Sequence, residues 1–291
     1  MRLEPSLIRL VTERFGPPTG VRFCGWDHAE SLVWEVRTDE QHLFVKQHRR
    51  VRKFRQELEV YRDWLPRLSP PFARQVPRLL YAQETPVALL ILSAVPGRLA
   101  QDVALSTARD LDLYRRAGAF LRRLHDLPYR DDDPVPLSSA TQQRAASWLR
   151  RSAPYLDRAT LADLDDFFAT APAVDLPRVP CHRDYSPRNW LVDLYEDSFD
   201  FAVIDFEHSR SDAWLVDLVK LWDGPWIRHP AREDAFFEGY GRTLTERERH
   251  QFGVFTALHA VATIGWSAQH HDAAYERHGR EVLARWQAER R

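Results

Sequence analysis

The sequence predicts an α+β fold with a small β-rich N-terminal lobe, residues 1–92, and a larger, mainly helical C-terminal lobe, residues 98–291. Two observations carry this prediction. Residues 20–92 contain five short β-prone segments and one helical segment, whereas helical spacing dominates after residue 98, interrupted by one β-hairpin. Between the two parts, Ser-Ala-Val-Pro-Gly at 93–97 breaks both patterns, so this stretch is predicted to be the hinge.

Composition limits the class of protein. The chain has 291 residues, 44% of them hydrophobic, which is enough for one large or two modest domains with real cores. A net charge of -1 gives no reason to expect nucleic acid binding. Two cysteines, Cys24 and Cys181, are too few for a disulfide framework and suit a reducing compartment. No apolar run reaches the roughly 18 residues of a membrane helix. We therefore expect a cytoplasmic, soluble monomer or homodimer.

The N-terminal lobe is predicted to begin with an amphipathic helix over 5–15, with proline at its start. Predicted strands follow at 21–25, 32–37, 43–46, 79–81 and 87–92, with a helix at 56–65. The turn from Trp26 to Ser31 is either an ordinary hairpin or a weak phosphate-loop signal. Lys46 ends the third strand, and Glu57 and Glu59 are the acids of the helix. Taken alone, each of these three charges is more typical of a solvated surface.

The C-terminal lobe shows helical spacing over most of its length. Predicted helices cover about 106–125, 139–151, 155–170, 212–222, 245–270 and 274–289. Asp212 is predicted to cap the fourth of these helices, and Thr245 with Glu248 forms a capping-box signature for the fifth. His125 continues an apolar helical stripe and is predicted to be a hydrogen-bonded structural histidine.

Residues 181–206, CHRDYSPRNWLVDLYEDSFDFAVIDF, carry the strongest chemical signal. The Ser-Pro loop is followed by two β-prone runs separated by a turn, which predicts a hairpin. Because the start of its first strand lies beside the end of its second, Asn189 and Asp205 should meet, with Asp184 on the loop leading in. Oxygen ligands of this kind suit Mg²⁺, and one carboxylate can remain free as a base. The set fits phosphoryl transfer from ATP.

Several sequence motifs of this chain occur in the order seen in one known family. The chain resembles the aminoglycoside phosphotransferase and choline kinase group, small-molecule kinases with a bilobal protein-kinase-like fold. The matching segments are LLILSAVPG at 89–97, FLRRLHDL at 120–127, CHRDYSPRN at 181–189, VIDFE at 203–207 and SDAWLVDL at 211–218. The resemblance spans roughly residues 20–220 and implies ATP and Mg²⁺ as cofactors and a small hydroxylated molecule as acceptor.

The resemblance also implies roles for single residues. Asp184 would be the catalytic base, while Asn189 and Asp205 would hold Mg²⁺ across the ATP phosphates. Lys46 would contact the α and β phosphates and pair with a helix carboxylate, for which Glu57 is preferred and Glu59 is the alternative.

The remaining implied roles concern the hinge and the loop. The Ser93 carbonyl and the Val95 amide would meet the adenine edge, and His182 would support the loop through backbone hydrogen bonds. The segments at 134–175 and 224–291 are extra to the core and should carry acceptor specificity, together with loop 185–188.

Two arginines depart from the group's pattern. Arg183 follows the histidine where the group usually has Gly or Ser, and Arg188 precedes Asn189 where glycine is usual. A guanidinium fork binds phosphate or carboxylate bidentately, so Arg188 is interpreted as a catalytic contact to the transferring phosphoryl or to an anionic acceptor group. An ion pair with a loop carboxylate is the alternative.

Two other functions remain open from the sequence. A protein kinase would share the H-R-D triplet and Arg188, although only about a dozen residues separate Asp205 from the next predicted helix and no A-P-E element follows. A nucleotide-binding pseudokinase is the third hypothesis, against which the intact set of Lys46, Asp184, Asn189 and Asp205 argues.

Overall fold

The computed structural model describes residues 1–25, 30–171 and 173–290. Five antiparallel strands form the N-terminal sheet: β1 (Pro18–Phe23), β2 (Ser31–Thr38), β3 (His42–His48), β4 (Leu79–Gln83) and β5 (Leu89–Ser93). Their spatial order is β1-β2-β3-β5-β4. All five predicted strands are present with shifted ends. Most of the predicted turn from Trp26 to Ser31 lies outside the described residues.

Strand β5 shows why helices cover both faces of this sheet. Leu89 and Ile91 pack with residues of helix α1 (Pro5–Phe15), whereas Leu90 and Leu92 point into the main core on the other face. Because side chains alternate along a strand, an unbroken apolar run needs a partner on each side. Helix α2 (Val51–Glu59) lies on the side of the main core, where Phe54 is buried.

Helix α2 begins earlier than the sequence predicts. It starts at Val51, inside the basic run, and continues as a π-helical turn over Val60–Trp64. Its buried positions are Phe54 and Glu57, which lie three residues apart on one face. Arg52 and Arg55 of the basic run are exposed on the outer side of the helix, so the run is compatible with helix formation.

The C-terminal part is mainly helical, as predicted. Its α-helices are α3 (Thr107–His125), α4 (Leu137–Ser152), α5 (Arg158–Thr170), α6 (Val219–Leu221), α7 (Ala231–Tyr240), α8 (Glu246–Gln269) and α9 (Ala273–Arg290). Both hydrogen bonds of the predicted capping box at Thr245 and Glu248 are present at the start of α8. Among the described residues, no helix combines the length and apolar character needed to cross a membrane.

The expectation of a single hairpin after residue 98 is wrong. Strands β6 (Arg98–Leu99), β7 (Arg178–Cys181), β8 (Trp190–Leu194), β9 (Phe199–Val203) and β10 (Arg210–Ala213) are all present. The predicted hairpin is β8 with β9, and β6 adds to its free side, while β10 pairs antiparallel with β7. Two-residue and four-residue strands show too little alternation to be detected from sequence.

The predicted capping role of Asp212 is also wrong. Asp212 lies within β10 opposite Val179, and its side chain binds Arg144 of α4 instead of a helix end. The following Trp214–Leu218 segment is a 3₁₀-helix that leads into α6. A carboxylate before an apolar run is a local pattern shared by helix caps and by strand residues. Only the pairing with β7 shows that Asp212 belongs to a strand.

Gly97 marks the point where the chain leaves the predicted hinge. Its φ is +119°, and a Cβ there would lie 2.9 Å from the carbonyl carbon of Val192 in β8. Only glycine combines this backbone conformation with such a close approach. The chain therefore enters β6 directly against the β8–β9 hairpin.

Candidate active site

The β8–β9 hairpin brings the two predicted metal ligands together. Its pairing places Trp190 opposite Val203, and one further bond follows, from the Ile204 amide to the Asn189 carbonyl at 2.9 Å. Asn189 and Asp205 therefore lie at the same end of the hairpin. The local geometry expected from the sequence is confirmed.

Asp217 fixes the backbone of the loop that begins at His182. Its carboxylate accepts hydrogen bonds from the backbone amides of His182, at 2.9 Å, and Arg183. It also lies 3.0 Å from Nε2 of His125, whose Nδ1 is 2.9 Å from the Tyr240 hydroxyl. His125 is buried and fully partnered, which agrees with the predicted structural role.

His182 supports the loop in the predicted manner. Its Nε2 lies 3.0 Å from the Ile204 carbonyl, and its Nδ1 lies 3.3 Å from the Asp184 amide. A neutral imidazole can donate at one nitrogen and accept at the other, so both contacts are satisfied together. The histidine thus connects the loop to the strand that leads to Asp205.

Asp184 is a buried carboxylate between two cations. Lys220 donates to its Oδ1, while Arg188 lies 2.5 Å and the Asn189 side-chain amide 3.0 Å from its Oδ2. Burial works to raise the pKa of Asp184, but the charges and hydrogen bonds of Lys220 and Arg188 outweigh it, and the pKa lies below its ordinary value. The side chain is therefore ionised and able to accept a proton.

The orientation of Asn189 leaves its oxygen available to a metal ion. The side-chain Nδ2 donates to both the backbone carbonyl and the carboxylate of Asp184, so the amide oxygen points elsewhere. Asp205 has φ +63° and uses Oδ1 toward Lys46, which leaves Oδ2 without a protein partner among the described residues. One amide oxygen and one carboxylate oxygen are ligands that Mg²⁺ accepts, so these residues fit the ion.

Lys46 has the reverse charge environment to that of Asp184: it is a buried ammonium group among three carboxylates. Its Nζ lies 3.0 Å from Glu57, 2.9 Å from Asp205 and 3.0 Å from Glu207. Burial lowers the pKa of Lys46, but the three carboxylates together raise it well above its ordinary value. Partial burial likewise works to raise the pKa of Asp205, while Lys46 holds it below its usual range.

Of the two candidate helix carboxylates, Glu57 makes the ion pair. Lys46 faces α2 because its neighbours Val45 and Leu43 face α1 on the alternating strand. Glu57 is completely buried and also lies 3.1 Å from Nε2 of His48, whereas Glu59 is exposed. The helical face that buries Phe54 is the same one that directs Glu57 to the lysine.

Glu207 fastens the N-terminal sheet to the site. Its carboxylate accepts a hydrogen bond from the Ser31 hydroxyl at the start of β2. The Gln56 side chain donates to the carbonyls of Glu207 and Ser209, at 3.0 and 2.9 Å. Contacts from β2, β3 and α2 therefore converge on the segment that follows Asp205.

The two predicted hinge residues lie at the end of β5. The Ser93 hydroxyl accepts from the Arg78 amide at 2.9 Å, and the Ala94 amide donates to the His42 carbonyl at 2.9 Å. Val95 is partly exposed, and its amide makes no hydrogen bond to the described part of the chain. The hinge backbone is thus anchored up to Ala94, and adenine recognition by Ser93 and Val95 stays a prediction.

Lys220 is the site residue that sequence reasoning missed. It belongs to α6, 36 positions after the aspartate it contacts. One signal was available: of the 41 Lys and Arg residues only three are lysines, namely Lys46, Lys53 and Lys220. Where arginine is used almost everywhere, a lysine marks a position at which a compact point charge differs from a planar fork.

Comparisons with known proteins identify the family of the chain. The model of the phosphotransferase enzyme family matches residues 23–252. A search of the curated proteins found no match.

Solved structures similar to this chain include three antibiotic phosphotransferases. The GDP complex of aminoglycoside 2′-phosphotransferase-IIIa has a TM-score of 0.75 at 15% identity, with 100% of each chain covered. The gentamicin complex of APH(2″)-IIa has a TM-score of 0.71 at 16% identity, covering 98% of this chain and 97% of that one. Macrolide 2′-phosphotransferase MphH from Brachybacterium faecium has a TM-score of 0.66 at 16% identity, with 96% and 98% covered. At these identities the likeness shows the shared kinase-like fold.

Proposed function

The chain belongs to the phosphotransferase enzyme family, and from this we propose that it transfers the γ-phosphoryl group of ATP, with Mg²⁺, to a hydroxyl group of a small molecule. The observation that carries the proposal is the continuous set of polar contacts through the site. Lys46 contacts Asp205 at 2.9 Å, and Asn189 at the same hairpin end contacts Asp184 at 3.0 Å. The residues proposed as phosphate-binding cation, metal ligands and base thus lie side by side.

Asp184 would act as the base. Its carboxylate is ionised and accepts hydrogen bonds, so it can orient an acceptor hydroxyl and take up the proton as the oxygen attacks phosphorus. Arg188 and Lys220 hold the carboxylate from both oxygens. With Asp184 as the base, their positive charges would lie close to the transferring group, which makes both residues candidates for stabilising the transition state.

The nucleotide side would be formed by the other centre. Asn189 and Asp205 would hold Mg²⁺, which when bound neutralises the phosphate charges. Lys46, held by Glu57, would contact the α and β phosphates, while the Ser93 carbonyl and the Val95 amide would receive the adenine edge. This assignment is supported by the Lys46–Glu57 pair and by the free oxygens of Asn189 and Asp205.

A small acceptor is supported by the short segment after Asp205. Only residues 206–209 separate it from β10, which pairs directly with β7. This leaves no length for a protein-kinase activation loop. The similar structures include complexes with gentamicin and streptomycin, although Arg188 and Lys220 beside the base offer no support for a polycationic acceptor here.

The test is a coupled assay of nucleotide consumption across a library of hydroxylated small molecules, with ATP and GTP compared. We expect acceptor-dependent turnover that requires Mg²⁺, stops on chelation and disappears in Asp205→Ala. Nucleotide binding without turnover on any acceptor would instead favour a nucleotide-binding pseudokinase. Turnover that persists in Asp205→Ala would contradict the assignment of the metal ligands.

A further inference from the structure

We propose that Arg183 and Arg210, with Arg144 beside them, form a binding site for a phosphate-type anion next to the catalytic loop. The three guanidiniums come from three separate elements: the loop after β7, strand β10 and helix α4. They converge on one carboxylate, Asp212, at 3.3, 3.8 and 2.5 Å respectively. The proposal does not depend on the phosphotransferase chemistry.

Arg144 already neutralises the shared carboxylate. Its two terminal nitrogens bind the two oxygens of Asp212 at 2.5 and 2.9 Å, in the bidentate fork that suits a carboxylate. Asp212 also accepts a hydrogen bond from the Ala213 amide and is 2% exposed. Arg183 and Arg210 therefore remain as two positive charges without a dedicated counterion.

The donors of these two side chains are largely unused. Within the described residues, neither Arg183 nor Arg210 makes a side-chain hydrogen bond, and the buried Nε of Arg183 has only its 3.3 Å ion-pair contact with Asp212. The side chains of Arg183 and Arg210 are 26% and 43% exposed, so a ligand can reach them from solvent. Buried and half-buried guanidinium donors usually find acceptors, and a bound oxyanion would supply them.

The surroundings add positive charge instead of balancing it. Arg52 and Lys53 of α2 lie near enough to Arg210 and Arg183 to influence their electrostatics. The acids on this side are engaged elsewhere, since Glu207 pairs with Lys46 and Glu30 with Arg50 and Lys53. Burial and the charge of Arg183 lower the pKa of Arg210 to about 9, because together with the other nearby arginines they outweigh the opposing effect of Asp212.

The backbone of Arg183 points in the same direction. Its φ is +64°, a left-handed conformation that costs free energy for any residue except glycine. Glycine would remove that cost, and the conformation is maintained by the hydrogen bonds of Asp217 to the two loop amides. A strained non-glycine residue at such a position is typical of a side chain with a binding role.

The ligand class follows from charge and geometry. Two surplus guanidiniums, with Arg52 and Lys53 nearby, match a compact dianion with several acceptor oxygens, which describes phosphate or a phosphate monoester. The phosphate is either free in solution or part of a larger organic molecule, and both sources present the same oxygens to the arginines.

The test measures thermal stabilisation of the full chain by inorganic phosphate against chloride at constant ionic strength. A ligand that binds the folded state raises the unfolding temperature in proportion to its occupancy. We expect stabilisation of the wild type, with the apparent dissociation constant weakened about 10-fold to 100-fold in Arg210→Gln and Arg183→Gly. Glycine accepts the backbone conformation at 183, so the second variant should fold normally.

Two kinds of control identify the site. Arg150→Gln removes an exposed charge from the same helix as Arg144 and should retain phosphate binding. Lys46→Met and Lys220→Met should show the same phosphate-dependent rise in unfolding temperature, with Lys46→Met starting from a lower temperature, because neither residue contacts the three arginines in the described part of the chain. The proposal is overturned if phosphate stabilises Arg210→Gln and Arg183→Gly as strongly as the wild type, or if the wild type shows no phosphate-dependent stabilisation.

A parallel titration with glycerol 3-phosphate distinguishes the two sources of the anion. Tighter binding of the ester than of inorganic phosphate would assign the site to a phosphorylated organic molecule, whereas equal or weaker binding would assign it to the free ion. In either case the Arg210→Gln substitution must weaken the binding for the site to be the one proposed.

Discussion

The two charged centres of the site have opposite compositions. Lys46 is one cation among three carboxylates, whereas Asp184 is one carboxylate between two cations and an amide. The first centre carries surplus negative charge and the second surplus positive charge. A metal ion complements the first, and a phosphoryl group with its developing negative charge complements the second. Under the proposed function, the first centre would hold the metal–nucleotide complex and the second would stabilise the transferring group.

Among substitutions in the two centres, we expect the largest loss of activity at Asp184. In Asp184→Asn we expect kcat to fall by about 10²–10⁴-fold, because the base is lost while the shape is kept. Nucleotide affinity should change little, since the Lys46 centre is untouched. Steady-state turnover and a nucleotide-binding titration measure the two quantities. Turnover near that of the wild type would remove Asp184 from the mechanism.

Lys46→Met should act on stability as well as on nucleotide use. Removing one partner from a buried ion pair typically costs about 3–5 kcal/mol, because the remaining charges stay buried and unpaired. Denaturant unfolding measures this loss, and the KM for the nucleotide should rise in parallel. Lys53→Met is the matched control. In the described part of the chain, Lys53 lies near His208 and Glu30 and forms no hydrogen bond or ion pair with Glu57, Asp205 or Glu207. Equal stability of the two variants would contradict the buried pair.

Glu57→Gln should have an intermediate effect. The substitution keeps the volume but removes a charged partner of Lys46, an interaction worth about 1.5–3 kcal/mol, so kcat/KM for the nucleotide should fall about 10-fold to 100-fold. Glu59→Gln, two positions along the same segment and exposed, should behave like the wild type. A larger loss in Glu59→Gln would reverse the assignment.

The smallest expected effect is a shift of the pH profile in Lys220→Met. In the wild type, Lys220 and Arg188 hold the pKa of Asp184 below its ordinary value against the effect of burial, so the base stays ionised as pH falls. Without Lys220, the effect of burial is opposed by fewer positive charges, so the pKa of Asp184 rises. The acid limb of the kcat profile should therefore move to higher pH, while Lys53→Met leaves it in place. An unmoved limb would show that Lys220 does not set the ionisation of Asp184.

The parts of the site that sequence predicted share a physical property. The hairpin from Asn189 to Asp205 is local, so alternation and a turn signal were enough to bring its ends together. His182 is likewise close in sequence to the segment that it supports. The choice of Glu57 over Glu59 depended on a helical face defined by its own neighbours, and the structure confirms it.

The parts that sequence missed all depend on distant partners. Asp212 carries the local pattern of a helix cap, but pairing between β7 and β10 places it opposite Val179, where its side chain contacts Arg144 of α4. Lys220 reaches Asp184 only because Asp217, three residues earlier, binds the catalytic loop. Neither contact, Asp212 with Arg144 or Lys220 with Asp184, produces a periodic pattern in the sequence.

By itself, the sequence determined the α+β class, the five-stranded sheet and the local hairpin that joins Asn189 to Asp205, because strand alternation and turn chemistry act over a few residues. The tertiary structure alone decided the charge balance of the site: three carboxylates around Lys46, two cations around Asp184, and three arginines around Asp212. Those balances arise from side chains far apart in sequence, and electrostatic energy depends on their distance in space.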